Sequence, residues 1–165
     1  MDERRLSHVG EEGGARMVDV SAKGETLRTA RAEAVVRIGP ETARLVAERG
    51  GTGKGNVLET ARLAAILGAK RTADLVPLCH PLPIDHIDVD ARLEDETVRL
   101  TATVTGRART GLEMEAMTAA AVGALTVYDM CKSAEKGITI ESVRLLEKRG
   151  GKSGDWKRRE EGGDR

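Results

Sequence analysis

Hydrophobic residues recur along this chain with two different periods, and the switches between them divide it into elements. Over residues 26–38, Ala30, Ala32, Ala34, Val36 and Ile38 fall on one side while Thr29, Arg31, Glu33 and Arg37 fall on the other. A period of two predicts a strand with one face on a core. Pro40 then opens a short helix over residues 41–49, closed by Gly50 and Gly51. After the glycine-rich 50–55 loop, Asn56 can cap a second helix that reaches Leu67 and ends at Gly68. A short third helix is expected over residues 72–76, stopped by Pro77. Ile87, Val89, Ala91 and Leu93 next alternate with Asp88, Asp90, Arg92 and Glu94. Beyond an Asp95-Glu96 turn, Val98, Leu100, Ala102 and Val104 alternate with Arg99, Thr101, Thr103 and Thr105, which predicts a hairpin. A long alanine-rich helix over residues 111–137 and a last strand over 138–147 complete the pattern. The order strand, helices, two strands, helix, strand predicts an α+β fold of the ferredoxin-like, split βαβ type, an antiparallel sheet with extra helices in the first crossover. Residues 1–16 and 157–165 have no periodicity and read as flexible tails around a single catalytic domain, 17–156.

The long helix conflicts with its own composition. Most of it is small or apolar, yet Glu113 and Glu115 stand near its start and Tyr128-Asp129-Met130-Cys131-Lys132 near its end. Buried charge is costly unless paired or used. Asp129 and Lys132, three residues apart, meet on one face either as a surface ion pair or as an acid/base pair with shifted or mutually held charges. Glu115 and Asp129 are fourteen residues apart, so they differ by about 40° around the axis but lie roughly 21 Å apart along it. One compact reaction centre cannot use both from one helix. The expectation is an inter-subunit site, with the helix antiparallel to its copy and its small residues permitting close approach.

Composition narrows the chemistry. The 165 residues carry 27 basic and 27 acidic side chains, which argues against a bulk nucleic-acid binder. Phenylalanine is absent, and Trp156 and Tyr128 are the only large aromatics, so the core must be aliphatic and base-stacking platforms are nearly excluded. Cys79 and Cys131 show no disulfide framework, the N-terminus is charged and glycine-rich, and no apolar run approaches ~20 residues. A cytoplasmic protein without a membrane partner is expected. The Gly50–Asn56 loop offers backbone amides and Lys54 to an anion, but it departs from a Walker loop at Glu48 and Gly55, so an ordinary loop remains the alternative. The prolines around Cys79 and His80 present both on a rigid segment, where His80 suits acid/base work, a phosphate contact or plain packing. Cys79, His80, His86 and Cys131 lack any recognised zinc spacing, and no metal site is expected. Lys54, Lys70, Arg71, Arg107, Arg109, Lys132 and Lys136 would suit a polyphosphate if gathered in one cleft.

The runs Met17-Val18-Asp19-Val20-Ser21, Lys54-Gly55-Asn56-Val57, Ala69-Lys70-Arg71-Thr72, Leu78-Cys79-His80-Pro81, Thr110-Gly111-Leu112-Glu113-Met114-Glu115-Ala116, Tyr128-Asp129-Met130-Cys131-Lys132 and Gly151-Lys152-Ser153-Gly154-Asp155 occur in order over nearly everything but the tails. Together they resemble the MoaC family of molybdenum cofactor biosynthesis, the cyclic pyranopterin monophosphate synthases. The resemblance implies a lyase that converts 3′,8-cyclo-7,8-dihydro-GTP to cyclic pyranopterin monophosphate with release of pyrophosphate. It implies a ferredoxin-like homohexamer, a trimer of dimers with active sites at dimer interfaces. By the same resemblance Asp129 and Lys132 form the acid/base pair, and Lys54, Lys70 and His80 meet the phosphates. Glu113 and Glu115 would serve guanine-derived N–H groups or proton relay, and Leu78, Cys79 and Met114 would line the site. No cofactor is obligatory, with Mg2+ accompanying the triphosphate left open. A metal-dependent nucleotide phosphohydrolase and a non-catalytic nucleotide-binding oligomer are the rival readings.

Overall fold

The computed structural model describes residues 13–159. Most of the two expected tails, residues 1–12 and 160–165, lies outside the described residues. In chain order the elements are β1 (Thr26–Arg37), α1 (Pro40–Arg49), the short strands β2 (Gly51–Thr52) and β3 (Gly55–Asn56), α2 (Val57–Lys70), α3 (Thr72–Leu75), β4 (His86–Glu94), β5 (Thr97–Ala108), α4 (Glu113–Cys131), β6 (Thr139–Arg149) and β7 (Trp156–Lys157). The protein is a mixed α+β structure built on one five-stranded sheet in the order β4-β5-β1-β6-β7. Every neighbouring pair is antiparallel. The β1 alternation buries Ala30, Ala32, Ala34 and Val36 completely, facing Val98, Leu100, Ala102 and Val104 of the next strand.

Helix α4 lies on β1, β5 and β6 and against α2. Its Ala116, Ala119, Ala120 and Ala124 meet a carpet of strand alanines and valines in one cluster. With no phenylalanine to fill space, small side chains on both surfaces bring helix and sheet close, which preserves core density. Gly50 ends α1 in the left-handed conformation, as expected. Gly68 does not end α2, which runs on to Lys70. Its lack of a side chain serves packing instead: a Cβ there would come within 2.9 Å of Val122 on α4. The long helix is shorter than its pattern, ending at Cys131 with Lys132 as its cap rather than reaching Gly137.

Two further departures bear on the site. The 50–55 loop forms a ribbon, β2 against β3, tight enough that a Cβ on Gly51 would stand 1.9 Å from the Gly55 carbonyl oxygen. At the other end the sheet passes the expected boundary at Trp156: β7 pairs with β6, and Arg158 donates from its backbone N–H to the Leu146 carbonyl at 2.7 Å. No described helix is long and apolar enough to cross a membrane.

Candidate active site

Helix α4 carries a separate chemical cluster at each end. At its C-terminal end Lys54 Nζ donates to Asp129 Oδ2 at 3.0 Å and to the Asp129 carbonyl at 2.7 Å. Lys132 Nζ stands 2.7 Å from Asp129 Oδ1. The β2–β3 ribbon makes this possible, because Thr52 Oγ1 donates to the Met130 carbonyl at 3.0 Å and so pins Lys54 beside the helix end. Lys54 thus reaches across to Asp129, while ahead of α2 the Asn56 side chain accepts from the Glu59 N–H. Met130 and Cys131 turn inward while Asp129 is 58% exposed. Asp129 and Lys132 meet as an ion pair at the surface, each favouring the other's charged form. Hydrogen bonds from Lys132 and Lys54 pull the Asp129 carboxyl below its usual range, and Asp129 raises Lys132.

At the N-terminal end Glu115 is only 3% exposed, and its Oε2 has no hydrogen-bond partner. Burial raises its carboxyl to about 7, opposed by its own backbone N–H and reinforced by the negative charge of Glu113. Cys79 lies within reach of this charge: burial and Glu115 together push its thiol up. Glu113 accepts from Lys148 Nζ at 2.9 Å. Both line a cavity of about 750 Å³ together with Lys23, Arg28, Arg109 and Lys152.

This basic cavity was missed in the sequence. Of the seven cations considered for a polyphosphate, only Arg109 lines it. Lys54 and Lys132 sit on Asp129, and Lys70 lines a different cleft with Asp85 and His86. Arg28 and Lys148 could have been found from phase. Arg28 stands two residues before Ala30, and Lys148 pairs with Ala30, so both occupy the inward-facing series of their strands. A charge in that series marks where the helix layer stops covering the sheet. Of the remaining expected residues, Leu78 and His80 are half-buried in the segment after α3, and Met114 is exposed on α4. Hydrogen bonding from Ser21 lowers the Asp19 carboxyl, with the charge of His80 the smallest of the influences on it. Among the described residues, no three His, Cys, Asp or Glu side chains converge as metal ligands.

The small-residue stripe of α4 is not available to a second copy. Ala116, Ala119, Ala120, Gly123 and Ala124 are buried in the chain's own core. The face left outward runs through Met114, Met117, Ala121, Leu125 and Tyr128, all exposed or half-exposed.

The MoaC family model matches residues 17–151. The chain belongs to the MoaC family. It is 58% identical over 158 residues to the cyclic pyranopterin monophosphate synthase of Geobacter metallireducens, covering 94% of this chain and 98% of that protein. The enzyme of the same name from Streptomyces coelicolor is 54% identical over 155 residues, 93% of this chain and 90% of that one. The match spans both ends of α4 and most of the basic cavity, so the MoaC region and the two charged clusters coincide.

Proposed function

We propose that this chain is a cyclic pyranopterin monophosphate synthase, a lyase of molybdenum cofactor biosynthesis. It takes 3′,8-cyclo-7,8-dihydro-GTP and releases pyrophosphate. The observation that carries this reading is the buried Glu115, its carboxyl raised to about 7, two residues from Glu113, which lines a cavity with Lys23, Arg28, Arg109, Lys148 and Lys152. Purine-ring opening and pterin closure need proton transfers, and a carboxyl poised near 7 is suited to them. Cyclic phosphate formation requires a hydroxyl to attack the α-phosphorus while pyrophosphate leaves, and the developing negative charge needs fixed cations. The cavity supplies them. Glu113 and Glu115 accept from guanine-derived N–H groups, while Asp129, Lys132 and Lys54 exchange protons with the rearranging ring.

Asp129 reaches Glu115 only across two chains, because one helix separates them by roughly 21 Å. We therefore read the enzyme as a homohexamer, a trimer of dimers with shared sites. The outward apolar line from Met114 to Tyr128, flanked by both clusters, supports a second copy there. The β4-β5-β1-β6 order supports a ferredoxin-like designation. No cofactor is required in this reading, and Mg2+ enters only with the triphosphate. The cytoplasm is the proposed compartment.

The decisive assay incubates purified protein with the cyclised substrate and follows pyrophosphate and the pterin product, with GTP and a chelator as controls. Conversion with chelator present is expected. GTP hydrolysis abolished by the chelator would identify a phosphohydrolase instead, and binding without turnover a nucleotide sensor. Asp129→Asn, Lys132→Ala and Lys54→Ala should each retain assembly and lose ~100-fold or more in kcat. A variant at near-normal rate removes that residue from the mechanism.

A further inference from the structure

The Glu113 carboxylate occupies the space where a side chain on Gly111 would stand. A Cβ on Gly111 would come 1.7 Å from Glu113 Oε2 and 2.7 Å from Oε1. The φ of Gly111 lies outside the left-handed region, so what this residue supplies is room and not backbone freedom. The same carboxylate accepts from Lys148 Nζ at 2.9 Å, and Gly111, Glu113 and Lys148 all line the basic cavity. We infer that Gly111 is a positioning residue: the gap over its α-carbon seats the Glu113 carboxylate against Lys148, in the orientation a bound substrate meets. The inference rests on the synthase reading of this cavity. Gly151 gives the same room to Arg28 on the cavity wall, where a Cβ would come 2.3 Å from Nη1, although its φ of 83° complicates any substitution there.

The clash identifies which property a substitution disturbs. The atoms in the way belong to the tip of a flexible side chain. Alanine at position 111 is therefore accommodated when Glu113 swings aside, and the fold is undisturbed. The swing takes the carboxylate from Lys148 and from the cavity wall. A displacement of this size at a substrate-positioning group lowers turnover out of proportion to any effect on stability.

A double-mutant cycle on the full chain tests this with Gly111→Ala, Glu113→Ala and the double variant. Gly111→Ala should keep the wild-type oligomer and melting temperature and lose ~10-fold or more in kcat/KM. Because it acts through Glu113, it should add nothing in the Glu113→Ala background, leaving the double variant within ~2-fold of Glu113→Ala. Multiplying losses, a near-wild-type Gly111→Ala enzyme or an unfolded one would each overturn the inference. A crystal structure of Gly111→Ala gives a readout independent of activity: the carboxylate should have left Lys148, and an unchanged Glu113–Lys148 contact overturns the proposal. Failure of the synthase reading is seen separately, as wild-type protein that does not convert the substrate.

Discussion

A carboxylate almost without solvent, with one oxygen unpartnered, makes Glu115 cheaper to fold protonated than ionised. Its folded value, about 7 against an ordinary 4.5, means the native chain holds the proton more tightly than the unfolded chain. Its contribution to stability is therefore complete below pH 4.5 and is lost as pH rises through 7. Glu115→Gln should match the wild type near pH 4 and gain on it by up to about 3 kcal/mol above pH 8. Urea unfolding of both proteins across that range checks this, and parallel pH profiles would refute it. Glu33 has the opposite sign. Burial raises its carboxyl, but hydrogen bonds and charge from Arg144 at 2.6 Å and Arg99 at 2.9 Å outweigh burial and hold it down. Glu33→Gln should cost about 1–3 kcal/mol at pH 7, the half-exposed arginines limiting the loss. The deficit should close as pH falls through the depressed folded value, and thermal melts at pH 7 and pH 3 measure it. At this scale the sequence exposed Glu115 as an oddity, because a carboxylate among alanines is costly. It hid Arg28 and Lys148, whose inward phase is informative only once the extent of helix cover is known.

Elements were more legible than the contacts between them. The alternation from Ala30 to Ile38 needed only the pleat of a strand, and β1 follows it. The stop at Gly68 was misread because a glycine at a helix end and one at a helix crossing look alike locally. Only the approach of Val122 separates the two. For the same reason the alanines of α4 looked suited to a partner helix when they serve the chain's own sheet. Gly68→Ala should therefore destabilise by about 1–3 kcal/mol by forcing α2 from α4, despite the higher helix propensity of alanine. A chemical denaturation midpoint at or above that of the wild type would show that the helices yield freely.

For the whole molecule, the two ends of α4 pose a question of number. If each site draws Asp129 from one copy and Glu113 from another, two impaired variants can complement each other. Mixing Asp129→Asn with Glu113→Gln after reversible dissociation should restore up to about a quarter of wild-type sites, since half the dimers are mixed and each has one intact site. No recovery, with exchange of subunits verified by mass spectrometry, would place each site within one chain. Leu125→Arg, in the middle of the outward line of α4, should reduce assembly and turnover together while leaving circular dichroism unchanged. A smaller oligomer with full activity would separate the two.

Strand β7 has a spectroscopic consequence. Trp156 is the sole tryptophan, with one tyrosine and no phenylalanine beside it. It is 42% exposed on β7, with the Arg158 guanidinium 5.8 Å from its ring, and Lys152 and Ser153 on the preceding turn line the basic cavity. Emission excited at the red edge of the absorption band therefore comes from one indole beside that cavity. Titrating pyrophosphate into the unlabelled protein would be followed there without subtracting any other fluorophore.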